Sequence, residues 1–303
     1  MKCIYVYNPE SGNGKILKNK SYILSRLREK FGDVEERPTT KAGDASIFAK
    51  EACGKYDYFF VSGGDGTLNE VVNGMGESEN KPIIGYIPTG TTNDIARSLH
   101  IPRKIKKAVS NIVNGVAYEH DIFKVNNRYG IYVCCTGLFT ASSYRAKREV
   151  KKRVGKMAYF FDGVKDVFHA KPVSVELETE NETIKQKCAL ILILNSRSTA
   201  GFLLNKSAQL DDGVVEIVLI HSHENKVTFS DVCRTAGIFA FGLNKYKKNK
   251  HVTYRVLDKF TMNVDDSAII NLDGERTGAG KFDFTVVPKA VKIIVPASRA
   301  EKL

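Results

Sequence analysis

The 303-residue sequence contains no apolar segment long enough to cross a bilayer. Its longest strongly apolar run, CALILIL at residues 188–194, is far shorter than the roughly 20 residues that a membrane-spanning helix requires. The N-terminal stretch MKCIYVYNPE becomes polar too early for a secretory signal peptide. We therefore expect a cytoplasmic protein whose contact with a membrane is peripheral.

Cysteine patterns typical of metal or disulfide sites are also missing. The six cysteines form no CxxC pair and no Cys/His spacing that suggests zinc. Cys134 and Cys135 are adjacent in the strand-like run GIYVCCTG, which predicts side chains on opposite faces of a strand. Buried, reduced thiols in a cytosolic protein are the favoured interpretation.

Acidic residues are too few to balance the basic ones. With 34 Asp and Glu against 46 Lys and Arg, the net charge is +12. A basic protein attracts phosphate-rich partners, which include nucleic acid, nucleotides and anionic membranes, and charge alone does not choose among them. Because no recognition motif for nucleic acid accompanies the charge, we expect no nucleic-acid partner.

The first part of the chain alternates strand-like and helix-like segments. Apolar runs such as CIYVYNP, YDYFFV and PIIGYIP predict strands, and the stretches near residues 15–31, 44–53 and 104–115 predict helices. This alternation is typical of a parallel sheet covered by helices, in which ligands bind beyond the carboxyl ends of the strands. We assign residues 1–121 to such an α/β domain.

From about residue 122 the pattern becomes β-rich. Segments such as GVVEIVLI, HVTYRVLDKFTMNV and KFDFTVV are rich in β-branched and aromatic residues, and Phe282, Phe284 and Val286 alternate with Asp283 and Thr285. We expect residues 122–290 to form an antiparallel, β-rich second domain. Helical stretches are expected within it near residues 142–168 and 225–241.

Three polar, glycine-bearing turns follow predicted strands: NPESGNGK at residues 8–15, SGGDGT at 62–67 and PTGTTND at 88–94. Glycines let a polyphosphate approach the backbone, and the N–H groups of a turn and a helix start donate to anionic oxygens. Asp65 could hold Mg²⁺, whereas the alternative is a tight turn at Asp65 and a helix N-terminal acid at Asp94. The first turn lacks the GxxxxGK[ST] spacing, which excludes a P-loop NTPase.

Taken in order, these motifs resemble the superfamily of bacterial diacylglycerol kinases and eukaryotic sphingosine and ceramide kinases. The resemblance continues through TTKAGDA, NSRSTAGF, AQLDDGVVEIVLI and NLDGE, over nearly the whole chain. NAD kinases and phosphofructokinases share GGDGT, but PTGTTND with LDDG and LDGE favours the lipid kinases, above all the soluble enzymes of Gram-positive bacteria. The family implies an α/β nucleotide-binding domain like that of NAD kinases and phosphofructokinases, a sandwich-like second domain, and a C-terminal segment, residues 291–303, that returns to the first.

The resemblance also implies binding residues. Those expected to bind ATP are Asn8, Pro9, Glu10, Ser11, Gly12, Thr39, Gly63, Gly64, Asp65, Gly66, Thr67, Leu68, Asn69 and Thr91. Asp65 and Asp94 would organise Mg²⁺ and the phosphate network. In the LDDG turn, Asp212 and the carbonyls of Gln209 and Val214 would hold a structural Mg²⁺, although an ordinary Asp-Gly turn is a serious alternative because one carboxylate makes a weak site for a hard cation.

The LDGE turn supplies the expected general base of the family, Asp273, which would take the proton from the lipid hydroxyl. Glu275 is the alternative base or its partner. If the backbone is extended there, both carboxylates lie on one face of a strand. Without the resemblance, an Asp-Gly hairpin turn is the better interpretation.

Two basic runs are candidates for membrane contact: RAKREVKKRVGK at residues 145–156, ahead of the apolar MAYFFDGVKDVF, and KYKKNK at residues 245–250. Such runs suit anionic lipid headgroups, and a solvated helix face is the alternative. Two departures from the family pattern, STAGFLL and CCTGLFTAS, lie in the second domain and leave the identity of the acceptor open.

The sequence therefore predicts an ATP·Mg²⁺-dependent diacylglycerol kinase that forms phosphatidic acid in phospholipid metabolism, with transfer in the cleft between two domains. One alternative is a kinase for another lipid acceptor, such as a sphingoid base, a polyprenol or a phospholipid headgroup. The other is a lipid- or nucleotide-binding protein without turnover. A homodimer is left open.

Overall fold

The computed structural model describes residues 1–12, 14–138, 171–223, 225–266 and 268–302. The helical stretch expected at residues 142–168 lies outside these ranges. Within them, every helix is too short or too polar to cross a bilayer.

The first region alternates strands and helices, as its sequence predicts. Its elements are β1 (Cys3–Tyr7), α1 (Lys15–Phe31), β2 (Val34–Pro38), α2 (Asp44–Ala52), β3 (Tyr58–Gly63), α3 (Asp65–Met75), β4 (Ile83–Pro88), α4 (Asp94–Ser98) and α5 (Ile105–Asn114). The strands pair in parallel in the order β2-β1-β3-β4. All carboxyl ends therefore meet at one edge of the sheet.

Both faces of this parallel sheet are buried. Along β1, Ile4 and Val6 join a core that includes residues of α2 and α3, whereas Tyr5 and Tyr7 join a core that includes residues of α1 and α5. Helices on both faces explain why the central strands are apolar throughout. Only β2 departs from this pattern, because its sequence VEERP buries Val34 alone at the sheet edge.

The second region is mostly antiparallel. Its elements are β5 (Val116–Val125), β6 (Arg128–Gly130), β7 (Val133–Gly137), β8 (Val173–Glu178), β9 (Thr183–Leu194), β10 (Ser198–Thr199), β11 (Phe202–Leu203), β12 (Val215–His221), α6 (Phe229–Phe241), β13 (Val252–Leu257), β14 (Lys259–Val264), β15 (Ile270–Leu272), β16 (Glu275–Thr277) and β17 (Gly280–Val295), with 3-10 helices at Leu243–Lys245 and Ala297–Lys302. Strands β13, β12, β9, β8, β14 and β17 pair antiparallel in that order, and β15 pairs antiparallel with β16.

The period-two pattern of β17 is confirmed. Phe282, Phe284 and Val286 are buried in the core of the second region, whereas Asp283 and Thr285 are exposed. With the parallel first region and the sandwich core, the predicted fold class is confirmed: an α/β domain followed by a β-sandwich domain.

Two long strands run through both regions. β5 and β17 pair along their length, and the register shifts between Val287 and Val291. Beyond this bulge, Ile293 of β17 pairs in parallel with Ile84 of β4, so the C-terminal strand lies in the first sheet. The buried Asp121 closes the bulge, because its carboxylate accepts the N–H of Lys289 (2.6 Å). The predicted domain boundaries at residues 121/122 and 290/291 lie at this bulge. The division of the chain into two domains at these residues remains a prediction.

Candidate active site

The carboxyl ends of the parallel strands bring the three glycine-bearing turns together. After β1, the Asn8 N–H donates to the Ser62 carbonyl (3.2 Å), which lies in β3. After β3, the Gly63 carbonyl accepts the N–H of Thr89 (2.8 Å), which follows β4. The hydroxyls of Ser11 and Thr89 also hydrogen-bond to each other at 2.7 Å. The turns thus form one continuous edge.

The glycines of SGGDGT serve different purposes. A Cβ on Gly63 would lie 2.4 Å from the Thr67 Cβ, and one on Gly90 would lie 2.6 Å from the Gly64 Cα. Gly63 and Gly90 are therefore required by the packing of the protein itself, and a Cβ on Gly64 would lie 3.3 Å from the Gly90 Cα. A Cβ on Gly66 would meet nothing within 4 Å. Of the three glycines of SGGDGT, only Gly66 borders open space, at the start of α3.

Asp65 is the first residue of α3, and its carboxylate faces the next turn. One oxygen accepts the backbone N–H of Ile95 and the other the hydroxyl of Thr92, both at 3.1 Å. Burial raises the pKa of Asp65, and the nearby negative charge of Asp94 raises it further. This carboxylate therefore stabilises the N-terminus of α4 and joins the second turn to the third.

Asp94 connects the third turn to the second region. Its side chain is 1% exposed, and Oδ1 accepts the hydroxyl of Ser198 (2.6 Å) and the N–H of Gly201 (2.8 Å). Both donors belong to the β10–β11 hairpin, which contains the departure STAGFLL. The hairpin is thus held directly by a residue of the predicted magnesium site.

Asp273 lies in a cage of hydrogen-bond donors. Its carboxylate accepts the Asn69 side-chain amide (2.6 Å) and the backbone N–H groups of Ile131 (2.6 Å), Tyr132 (3.1 Å) and Val133 (2.9 Å). The residue is 2% exposed, and burial raises its pKa to about 6 against the opposing effect of these donors. Since a carboxylate has about four lone-pair sites, its accepting capacity is filled.

The Asp273–Gly274 turn also corrects one expectation. The φ angles are 51° at Asp273 and 95° at Gly274, and Leu272 pairs with Glu275 across the turn. This is a two-residue hairpin, so the backbone is not extended and the two carboxylates do not share a face. Glu275 points outward, where its side chain is 53% exposed and accepts a hydrogen bond from Arg128 (2.7 Å).

Two asparagines of α3 join the nucleotide-side turn to the second region. Asn69 is buried, and besides contacting Asp273 its amide donates to the Tyr129 carbonyl (3.1 Å). One turn later, Asn73 accepts the N–H of Tyr129 (2.9 Å) and donates to the carbonyl of the same residue (2.8 Å). Sequence reasoning missed Asn73, although its spacing of four from Asn69 places both on one helix face.

The other predicted nucleotide ligands divide by position. The Leu68 side chain is buried in the core, and its N–H bonds the Gly64 carbonyl. Glu10 is exposed and its N–H donates to the Asn8 side chain (2.9 Å). Partly exposed side chains lie at the edge of the turns: Asn8, Pro9, Ser11, Thr39 and Thr67. Gly12 lies beside Thr89, and Thr91 is exposed. Arg103, which was not predicted, donates to the Thr91 carbonyl (3.1 Å).

The LDDG turn is closed by protein groups. The Gly213 N–H donates to the carboxylate of Asp121 (2.6 Å), and the Val214 N–H donates to Asp212 (3.3 Å). Burial raises the pKa of Asp212. Among the described ranges, no three His, Cys, Asp or Glu side chains cluster as a metal site. The assignment of Gln209, Asp212 and Val214 to a structural Mg²⁺ remains a prediction.

Comparison with known families assigns the chain. Residues 2–125 match the diacylglycerol kinase catalytic domain, and residues 134–295 match the YegS C-terminal NAD kinase beta sandwich-like domain. The diacylglycerol kinase of Bacillus subtilis (strain 168) is 33% identical over 301 residues, which cover 98% of this chain and 97% of the relative. The chain belongs to the diacylglycerol kinase family.

Other relatives agree with this family. The diacylglycerol kinase of Staphylococcus carnosus (strain TM300) is 32% identical over 293 residues, covering 96% of this chain and 94% of the relative. A crystal structure of a diacylglycerol kinase from Bacillus anthracis str. Sterne superposes with a TM-score of 0.82 at 22% identity, covering 98% of each chain, and shows the shared fold. The family match supports a lipid kinase, hence a transferase, as the class of this protein.

Proposed function

We propose that this member of the diacylglycerol kinase family transfers the γ-phosphate of ATP to the hydroxyl of diacylglycerol, in the cytoplasm and at a membrane surface. The product would be phosphatidic acid, in phospholipid metabolism. One observation carries the proposal: a single helix, α3, begins at the glycine turn beside the other strand ends and, one turn later, hydrogen-bonds the buried Asp273 through Asn69. The helix thus connects a candidate nucleotide site with a candidate base.

The residues present suit a bound nucleotide. Gly66 leaves open space at the N-terminus of α3, where backbone N–H groups and the helix dipole favour anionic oxygens. Asn8, Ser11 and Thr39 lie at the same edge with partly exposed side chains. ATP with Mg²⁺, when bound, supplies the phosphoryl group and neutralises part of its charge.

Asp65 and Asp94 are the proposed magnesium-side carboxylates. The Asp94 charge contributes to the raised pKa of Asp65, so the two negative charges are close enough to interact. A divalent cation would relieve this repulsion. Both carboxylates already accept protein hydrogen bonds, so they would also hold the turns in place.

Asp273 is the proposed general base. A pKa near 6 leaves the carboxylate ionised at neutral pH and basic enough to take the proton of an alcohol during transfer. Because four N–H donors fill its lone pairs, the lipid hydroxyl must replace one of them. Three are backbone groups at the start of β7, so the Asn69 side chain is the donor able to move by a rotamer change. Glu275 remains the alternative base.

The experiment is transfer of labelled γ-phosphate from ATP·Mg²⁺ to a lipid panel in anionic mixed micelles, with NAD and water as control acceptors. Label in phosphatidic acid is the expected result. Label in another lipid would replace the acceptor but keep the kinase, and STAGFLL in the β10–β11 hairpin would be the first place to look for the reason. Bound ATP with no transfer to any acceptor would instead support a binding protein.

A further inference from the structure

Helix α6 turns an apolar face to solvent. Phe229 and Phe241, at its two ends, are 68% and 66% exposed, and among the described residues they are the only exposed phenylalanines. Between them, Cys233 and Ala240 are also exposed, at helical spacings of four and eleven from Phe229. Residues four and eleven apart lie on one side of a helix, so Phe229, Cys233 and Ala240 form a stripe, and Phe241 follows Ala240 at the C-terminal end, about 120° around the axis from Phe229.

Hydrogen bonds fix α6 in this orientation. The buried face carries Asp231, which is 3% exposed and accepts the Ser222 hydroxyl (2.8 Å) and the Thr228 N–H (2.9 Å). Asp231 and Thr228 form a capping box at the helix start. Rotating the helix to bury its phenylalanines would expose these satisfied groups, so the outward apolar stripe is set by the fold.

The stripe continues onto the β10–β11 hairpin. Leu203 of β11 is 44% exposed, and the neighbouring Leu204 carbonyl accepts the N–H of Leu243, two residues after Phe241. The rings of Phe202 and Phe239 meet edge to face at 5.6 Å beneath it. Leu203 and the end of α6 therefore belong to one surface, which we call the α6 face and define as Leu203, Phe229, Cys233, Ala240 and Phe241.

Positive charge borders the C-terminal end of the α6 face. The Lys245 ammonium lies 4.9 Å from the centroid of the Phe241 ring. Lys248 and Lys250, shortly after Lys245, and Lys206, three residues after Leu203, are also exposed. No Asp or Glu occurs between Asp231 and Asp258. Exposed aromatic side chains next to lysines suit the interface of an anionic bilayer, where rings enter the headgroup region and lysines meet phosphates.

The α6 face is also close to the candidate active site. The N–H of Gly201, at the tip of the β10–β11 hairpin, donates to Asp94. Leu203 follows two residues later, a separation of at most roughly 7 Å along an extended chain. A surface that holds Leu203 therefore lies beside the turn that carries Asp94.

From these contacts we infer that the α6 face docks the protein on an anionic phospholipid bilayer and places the Asp94 edge of the cleft at the lipid surface. The inference deepens the proposed lipid kinase function, because docking brings the protein to its lipid acceptor only if that function holds. The binding itself requires neither ATP nor turnover.

The test is sedimentation with vesicles of phosphatidylcholine, with and without phosphatidylglycerol, in the absence of ATP and diacylglycerol. The double variant Phe229→Ser/Phe241→Ser should lower partitioning by about tenfold or more. Lys245→Gln/Lys248→Gln should lower it by roughly thirtyfold on anionic vesicles at low salt, since each lysine contributes about 1 kcal/mol there, and little on neutral ones. Matched controls are Ile47→Ser, whose side chain is 52% exposed on α2, and Lys50→Gln/Lys55→Gln.

Each variant is also assayed on a short-chain, water-soluble diacylglycerol, and its oligomeric state is measured by light scattering. Lost vesicle binding with unchanged transfer to the soluble acceptor supports the inference. If the wild-type protein transfers to no acceptor, loss of vesicle binding in the variants still supports the inference. That outcome rejects only the proposed function. Binding equal to that of the controls overturns it, as does a change from dimer to monomer without a change in vesicle binding, which would make the α6 face a contact between copies.

Discussion

The same dipeptide, Asp-Gly, occupies opposite environments in the two regions of this protein. Asp65–Gly66 begins a helix, and its glycine borders open space. Asp273–Gly274 forms a hairpin turn at positive φ, and its aspartate accepts four protein hydrogen bonds. The first turn is built so that something else can approach its backbone, whereas the second is built to hold one carboxylate still.

The largest expected effect comes from replacing Asp273, which tests whether the second turn holds a catalytic carboxylate. In Asp273→Asn, one acceptor oxygen becomes an NH₂ that faces N–H donors. We expect phosphoryl transfer to fall by about 10²–10⁴-fold if the residue is the base. The free energy of unfolding should also fall, by roughly 1–3 kcal/mol, since buried donors lose their acceptor. Initial rates and urea unfolding, measured on one preparation, separate the two effects.

The exposed Asp258, between β13 and β14, provides the control, because Asp258→Asn should change stability by no more than about 0.5 kcal/mol. Glu275→Gln is the companion variant, since its exposed pair with Arg128 contributes little to stability. Wild-type transfer in Asp273→Asn, together with loss of transfer in Glu275→Gln, would move the base to Glu275. Unchanged stability in Asp273→Asn would contradict the four-donor description.

The glycines of the first turn allow a paired comparison. Gly63→Ala puts a methyl group against the Thr67 side chain, which should cost roughly 1–3 kcal/mol of stability. Gly66→Ala places the methyl in open space within a helix, so stability should be unchanged or gain up to about 1 kcal/mol, while ATP affinity should fall. Urea unfolding and titration calorimetry measure the two quantities. Unchanged ATP affinity in Gly66→Ala would count against a nucleotide in that space.

Sequence patterns were sufficient wherever packing repeats along the chain. The helix predicted at residues 15–31 is α1, with the same bounds, and the alternation of Phe282, Phe284 and Val286 gave the buried face of β17. β2 escaped prediction because VEERP contains one buried residue, and the strand stays in the sheet through its backbone pairing with β1. Backbone hydrogen bonds form with almost any side chain, so the sequence of an exposed edge strand does not reveal them.

The candidate site was predicted as a set of turns but not as a network. The family motifs indicate which turns matter, and the structure places these turns along one edge. The donors to Asp273 could not be predicted, because three are backbone N–H groups of β7 and its approach, about 140 residues earlier in the chain. Asn69 belonged to the predicted nucleotide ligands, and only the fold shows its amide turned toward Asp273.

The smallest and most specific effect is expected from Asn69, which connects the two turns. Its amide donates to the Asp273 carboxylate and lowers the pKa of Asp273, which burial nevertheless raises to about 6. In Asn69→Ala the pKa should rise further, because the ionised form loses a donor. Since the ionised carboxylate is the active base and Asn69 contacts it in the free enzyme, the acidic limb of the pH profile of kcat/KM should move to higher pH, by roughly one pH unit.

Transfer by Asn69→Ala should thus be weakest relative to wild type near pH 6 and approach it at alkaline pH. Asn73→Ala is the matched control, because Asn73 lies on the same face of α3, and its side chain bonds Tyr129 and the side-chain oxygen of Asn69 (3.1 Å), one contact removed from the carboxylate. An acidic limb that stays in place in Asn69→Ala, or moves equally in Asn73→Ala, would mean that the contact between Asn69 and Asp273 supports the fold and does not tune the base.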